Sequence, residues 1–174
     1  MNVLDAIRQR RSVGRVSQQP VPRDLLESLL EAAQWAPTHH RTEPWRFWVF
    51  SGPGRERLAD VFAFLGEKDR AKPLRAPVVI AVACVPQPAA DNVQEELCAT
   101  AAAVQNLLLA AQELGLAGIW RTGPAAYDQR VRQFFGLGER DALVGFIYLG
   151  YPDPGVPVLE GRRAPLSDKT VWYE

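Results

Sequence analysis

Hydrophobic and polar positions along the chain switch repeatedly between helical and extended spacing. Val3, Leu4 and Ile7 share one face of a short opening helix. Leu25, Leu26, Leu29, Leu30 and Ala33 form the stripe of a second helix, which Pro22 opens and Pro37 stops. The aromatic run from Trp45 to Phe50 has strand composition, and Ser51-Gly52-Pro53-Gly54 ends it as a turn. Leu58, Val61, Phe62 and Leu65 mark another helix. Residues 77–85 show no polar alternation, which predicts a central strand covered on both faces. Residues 92–114 carry the longest helical pattern, rich in alanine and leucine on nearly every face and closed by Gly115 as a left-handed cap. Such a helix must be wrapped by protein, supplied either by its own chain or by a second subunit. A short strand over 117–121, a helix around 127–135 and an apolar strand over 143–149 complete the pattern.

Composition narrows the fold class and the partners. A chain of 174 residues, 47% hydrophobic and 23% charged, suits one domain with a substantial core, spanning 1–174. Residues 152–174, rich in proline and charge, read as a disordered tail or an arm, and the terminal Val171-Trp172-Tyr173 favours a C-terminal arm that seeks a surface to bury. Basic and acidic residues balance at 20 each, so no global field points to nucleic acid or to an anionic membrane as a partner. A small ligand held by a local cluster is expected instead. No apolar stretch reaches membrane-spanning length and the start lacks a signal-peptide layout, so a cytoplasmic location is expected. Cys84 and Cys98 sit in apolar runs away from any ligand-spaced histidine, which predicts buried free thiols and no metal site.

Candidate chemistry begins with Arg10-Arg11-Ser12, echoed by Arg163. Guanidinium forks and a hydroxyl suit a phosphate dianion, because they donate paired hydrogen bonds to its oxygens. The same residues also suit a solvated helix end that complements the helix dipole.

Four segments taken in order decide between these readings: Arg10-Arg11-Ser12, then residues 36–45 (Ala-Pro-Thr-His-His-Arg-Thr-Glu-Pro-Trp), then residues 115–123 (Gly-Leu-Ala-Gly-Ile-Trp-Arg-Thr-Gly), then residues 145–150 (Gly-Phe-Ile-Tyr-Leu-Gly). Together they resemble the FMN-dependent nitroreductase family, in its compact branch, over nearly the whole chain. The resemblance implies an α+β fold with a mixed, mainly antiparallel sheet flanked by helices. It also implies an intertwined homodimer whose C-terminal arm crosses to the partner, with two FMN sites at the interface. Carried onto this chain, it implies that Arg10, Arg11, Ser12 and Arg163 hold the phosphate and ribityl end. Pro37, Thr38, His39 and Arg41 would reach the flavin of the partner subunit, and the Trp120-Arg121-Thr122 backbone would face its reactive edge. Trp35 and Trp120 are candidates to pack near the ring, with Trp35 equally readable as a helix-end core residue.

The implied activity is two-electron, ping-pong hydride transfer from NADH or NADPH to a nitroaromatic, quinone or similar electron-poor small molecule. The chain supplies orientation and electrostatics, and no catalytic acid is assigned. Lys68, Arg75 or Arg121 could offset charge on the reduced ring, each also readable as a surface charge. The segment departs from the family pattern at residues 38–43, where Glu43 stands in place of a neutral amide: an inward Glu43 would disfavour an anionic reduced flavin, and an outward Glu43 paired with Arg41 is the favoured alternative. Two alternatives stand beside the enzyme reading: a flavin-binding or storage protein of the same fold with weak turnover, and a specialised flavin dehydrogenase.

Overall fold

The computed structural model describes residues 2–88, 90, 92–157 and 160–174. Strand β2 (Val78–Cys84) is buried at every position, as its unbroken apolar run predicts. It lies between β1 (Trp45–Ser51) and β4 (Ala142–Gly150), and β3 (Ala117–Arg121) pairs with the far side of β4. The order is β1-β2-β4-β3 and every pairing within the sheet is antiparallel. The parallel component of the expected mixed sheet is, among the described residues, one isolated bridge between Ser12 and Gly118.

Alternation along the strands divides the core in two. Val78, Ile80, Val82 and Cys84 face α2 (Arg23–Gln34) and α5 (Val93–Glu113), while Val79, Ala81 and Ala83 face the side built by α3 (Gly54–Phe62) and the segments after β3. On this second side Phe146 packs edge-on against Phe62, with ring centroids 5.0 Å apart. Each fully buried aliphatic or aromatic side chain contributes about 1.5–3 kcal/mol.

The helices follow their end signals. α1 (Val3–Gln9) is capped by Asn2, whose side chain accepts the Asp5 amide at 2.9 Å. Its apolar face behaves differently from a core stripe: Ala6 is buried, whereas Val3, Leu4 and Ile7 remain exposed in the protomer. α5 opens on Asn92, which accepts the Gln94 amide, and closes on Gly115 at φ 73°. The Gly115 amide bonds to the Gln112 carbonyl and the Leu116 amide to that of Ala111, a Schellman turn that delivers the chain into β3. One face of α5 is buried by its own chain, but Leu97 and Leu114 stay exposed, so the intrachain core covers the helix only in part.

Two expectations need correction, and one helix is additional to them. The single helix around 127–135 is two, α6 (Gly123–Tyr127) and α7 (Gln129–Phe134), because Asp128 leaves the helical conformation and caps the second. Its Oδ1 accepts the Arg130 amide at 2.9 Å and the Val131 amide at 3.3 Å. A short α4 (Glu67–Arg70), hidden in a polar stretch, follows the positive-φ Gly66. Cys84 is buried as expected, but Cys98 is exposed on the uncovered face of α5.

An irregularity in β4 aims a side chain. Val82 pairs with Gly145 and Ala83 with Leu143, which leaves Val144 as an extra, bulged residue. The Val144 carbonyl turns outward and accepts the Trp120 indole Nε1 at 3.1 Å. Gly145 sits at φ 146°, and a Cβ there would lie 2.6 Å from both the Arg121 carbonyl oxygen and Trp120 Nε1. Gly145→Ala should therefore destabilise the protein by about 1–3 kcal/mol, the usual scale of overpacking, and weaken the indole contact. A lower urea midpoint and altered tryptophan emission are the measurements. The Arg130 side chain foremost, then the backbone amides, holds the Asp128 carboxyl at about 2, below its ordinary 3.8. A depressed pKa contributes stability above the ordinary value and loses it as pH falls through the folded one. Asp128→Ala should thus lower Tm at neutral pH, and its deficit relative to the parent should close as melts are taken from pH 4 toward pH 2.

Candidate functional site

β3 is an edge strand, and its free backbone groups need partners. The chain after α1 supplies them: the Val13 amide donates to the Gly118 carbonyl at 3.0 Å, beside the Ser12–Gly118 bridge. Further along, Val16 bridges Pro152 and the Ser17 amide donates to the Tyr151 carbonyl at 2.9 Å, so this strap is fastened at both ends. Arg15 and Asp153 add an exposed ion pair at 2.8 Å. Gly118 permits the close packing, since a Cβ there would stand 2.8 Å from Leu149 Cδ2 and the Tyr148 carbonyl oxygen.

This fastening lays Arg10, Arg11 and Ser12 beside the start of β3, over a cavity of about 430 Å³ that reaches Gln112 and Gly118. Arg163 from the C-terminal segment approaches the same corner. Burial, then the Arg163 and Arg11 guanidiniums, push Arg10 below its ordinary pKa. Neither Arg10 nor Arg163 forms an ion pair with a carboxylate among the described residues. Arg11 has a different employment. Its Nη1 donates to the Arg8 and Arg10 carbonyls at 2.6 and 3.0 Å, completing the end of α1, and Gly161 leaves room for its guanidinium, since a Cβ there would stand 2.6 Å from Arg11 Cζ. The helix-complement role that the sequence set beside the phosphate role thus holds for Arg11.

A groove lined by Arg10, Ser12, Trp120 and Thr122 joins this corner to the end of β3. There the backbone leaves strand geometry at Thr122 and turns through Gly123 at φ 61°. A second cavity, of about 350 Å³, opens beside Trp120, Arg121 and Thr122 and is floored by Phe146 and Tyr148. Burial foremost pushes the Tyr148 hydroxyl up to about 12, against the opposing pull of Arg121 and Arg75. The Arg121 guanidinium stands 5.6 Å above the Tyr148 ring. Of the three cations named from sequence, Arg75 and Arg121 line this cavity, whereas Lys68 is exposed outside it. Lys72, absent from the sequence reading, lines it as well and pairs with Asp69. Its signal was the spacing to Arg75, three residues on at one face of a helical turn.

The remaining candidates lie elsewhere on the protomer. Pro37, Thr38 and His39 form one wall of an open groove whose other wall is α5, at Glu95, Cys98 and Ala102. His39 Nε2 lies 3.7 Å from a Glu95 carboxylate oxygen. Arg41 is exposed, and the expected pair with Glu43 is not formed. The reason is local backbone geometry: His40, Arg41 and Glu43 all take positive φ, at 48°, 57° and 46°, which turns the two side chains apart along the loop. Glu43 is exposed in the protomer. Trp35 caps the C-terminus of α2 with 82% of its surface exposed, which removes the core reading for it in the protomer. No cluster of histidine, cysteine or carboxylate side chains suited to a metal occurs among the described residues, nor any helix long and apolar enough to cross a membrane.

Comparison with known proteins gives this geometry a context. The family model described as the nitroreductase family matches residues 7–151. YfhC of Bacillus subtilis, whose name assigns it provisionally to the NAD(P)H nitroreductases, is 33% identical over 178 residues, covering 95% of this chain and 91% of its own. A nitroreductase-like family protein from Bacillus cereus superposes with a TM-score of 0.88 at 33% identity, covering all of this chain and 97% of that one. A Desulfovibrio desulfuricans protein described as a nitroreductase in complex with FMN gives a TM-score of 0.82 at 29% identity, over 100% and 98% of the two chains. With a family model spanning the strap and all four strands of the sheet, the chain belongs to the nitroreductase family.

Proposed function

We propose that this protein is an FMN-dependent NAD(P)H oxidoreductase that works as a homodimer in the cytoplasm and reduces nitroaromatic, quinone or similar electron-poor small molecules. The observation that carries the reading is a pair of neighbouring guanidiniums without carboxylate partners, Arg163 and Arg10, of which Arg10 lines a groove that ends on Trp120 and Thr122. Crowded cations, one of them partly desolvated, fit a dianion, which relieves their mutual repulsion and accepts from their donors. The flat Trp120 indole, fixed by Val144, fits an extended planar ring at the other end. FMN is a phosphate joined to such a ring. The FMN complex of the Desulfovibrio relative and the NAD(P)H named for YfhC support the same choice of cofactor and donor.

Bound FMN supplies the two-electron chemistry; the chain's residues hold and orient it. In this reading Arg10, Ser12 and Arg163 fix the phosphate and ribityl end, and Arg11 shapes the corner by closing α1. Trp120, Arg121 and Thr122 support the reactive edge, and Arg75, Arg121 and Lys72 offset negative charge accumulating on the ring. Pro37, Thr38 and His39 line a groove that shares no residue with that site, Arg41 and Trp35 are exposed beside it, and in this reading all five serve the partner's flavin. The arm of residues 152–174 buries Leu166, Val171, Trp172 and Tyr173, all exposed here, on the partner.

Purified protein should be yellow, lose its flavin colour anaerobically with NADH or NADPH, and regain it on addition of a nitroaromatic or quinone. Arg10→Ala and Arg163→Ala should each loosen FMN by about 1–3 kcal/mol, the scale of one charge-assisted hydrogen bond. Unchanged FMN affinity in both variants, measured by titration, would sink the phosphate assignment. Bleaching without reoxidation by any acceptor would leave a flavin-storage protein in its place.

A further inference from the structure

Glu96 is a charged residue with only 3% of its surface exposed, sitting on the inner face of α5. Its Oε1 accepts the Thr42 hydroxyl at 2.9 Å, and its Oε2 is buried without a hydrogen-bond partner. A half-satisfied buried carboxylate costs a fold stability, and an apolar side chain would fill the same space without that cost. What Glu96 provides is the end of a hydrogen-bond chain.

The direction of that chain follows from counting protons. A threonine hydroxyl has one proton to give. Thr42 gives its proton to Glu96, so in the 2.8 Å contact between Thr38 Oγ1 and Thr42 Oγ1 the donor is Thr38. Thr38 Oγ1 in turn accepts the Glu43 backbone amide at 3.2 Å. The order is Glu43 amide to Thr38 hydroxyl to Thr42 hydroxyl to Glu96 carboxylate, each link polarising the next. It closes a loop over residues 38–43 in which His40, Arg41 and Glu43 hold positive φ, a conformation that non-glycine residues keep only when their surroundings enforce it. The Thr42 carbonyl is also gripped, by Gln87 Nε2 at 3.2 Å.

We infer that Glu96 is a positioning residue for the flavin site of the partner subunit: through Thr42 and Thr38 it holds residues 38–43 in the strained shape that presents Thr38, His39 and Arg41 across the interface. This rests on the flavin reading above, in which that loop reaches the partner's ring. It assigns a functional role to a buried side chain that touches neither cofactor nor substrate.

The test compares Glu96→Ala with Glu96→Gln, and Thr42→Val with Thr42→Ser, in the full-length protein. Glu96→Gln and Thr42→Ser keep an acceptor or a hydroxyl in place, so they should retain the chain; the other two break it. Two readouts separate the inference from its premise. Amide hydrogen exchange of residues 38–43 in the protein stripped of flavin should quicken about tenfold in Glu96→Ala and Thr42→Val and stay near the parent in the conservative pair. FMN affinity, with the visible circular dichroism of the bound flavin, should weaken about three- to tenfold and change shape in the same two variants. A parent protein that binds no FMN would overturn the flavin reading while the exchange data still judge the chain. Loop exchange unchanged in both breaking variants would overturn the inference. Faster exchange with FMN affinity and dichroism unaltered would also overturn it, by reducing Glu96 to a structural role. If Glu96→Ala fails to fold, Thr42→Val against Thr42→Ser carries the same comparison.

Discussion

The open edge of β3 is the constraint on which the rest of the site depends. A four-stranded antiparallel sheet has two outer strands, and their unpaired amides and carbonyls must be met by something. β3 is met by the strap after α1, through the Val13 amide and the parallel bridge at Ser12. Because residues 10–13 run along β3, the end of α1 and the end of β3 come to share one groove, although Ser12 and Trp120 are far apart in the chain. A Cβ at Gly118 would collide with Leu149 and the Tyr148 carbonyl on β4, so glycine there keeps β3 tight against β4 at the point where the strap docks. The Schellman turn at Gly115 sets the starting point, delivering β3 directly from the end of the buried helix. Two glycines and one backbone bridge thus convert a basic patch into one end of a pocket.

Electrostatics then follows from place and not from composition. The chain is neutral overall, with 20 basic and 20 acidic residues. Most arginines are spent locally: Arg130 on Asp128, Arg70 on Glu56 and Asp60, Arg11 on helix carbonyls. Arg10 and Arg163 are left close together without a carboxylate, and partial burial raises the cost of the Arg10 charge. An anion is the natural complement of such a corner, whereas exposed pairs such as Arg23 with Glu27 carry little energy either way.

What was legible in the sequence was whatever depends on period and local chemistry. The unbroken apolar runs of β2 and β4 and the long alanine-rich α5 stand where their patterns put them, with Asn92 and Gly115 at the predicted ends. The misreadings have local causes of a kind that periodicity does not register. Asp128 is polar in either a helix face or a cap, and only its amide contacts reveal that it separates α6 from α7. Arg41 and Glu43 are opposite charges two residues apart, yet positive φ on both turns them away from each other. The resemblance to a family gave the candidate residues, while the strap that gathers Arg10, Ser12 and Thr122 is a long-range backbone pairing that no local pattern encodes. The Thr42–Glu96 bond was illegible for the same reason: its partners are 54 residues apart, and each alone reads as an ordinary polar residue.

The protomer by itself leaves several of its own signals unanswered. Val3, Leu4 and Ile7 make an apolar helical face that meets no core, Leu97 stands out from α5, and Trp172 and Tyr173 are almost fully exposed at the end of the chain. Scattered apolar exposure is ordinary on a protein surface, but whole helix faces and paired terminal aromatics are not. In the proposed dimer these surfaces and the loop at residues 38–43 have one common explanation. On that proposal the surfaces left incomplete as a core are the ones that complete the neighbouring site, so burial and function would make the same demand on a second copy of the chain. A loop held in strained geometry by a buried carboxylate is then consistent with that demand, because a segment that must fit another subunit's pocket cannot be left to find its shape after association.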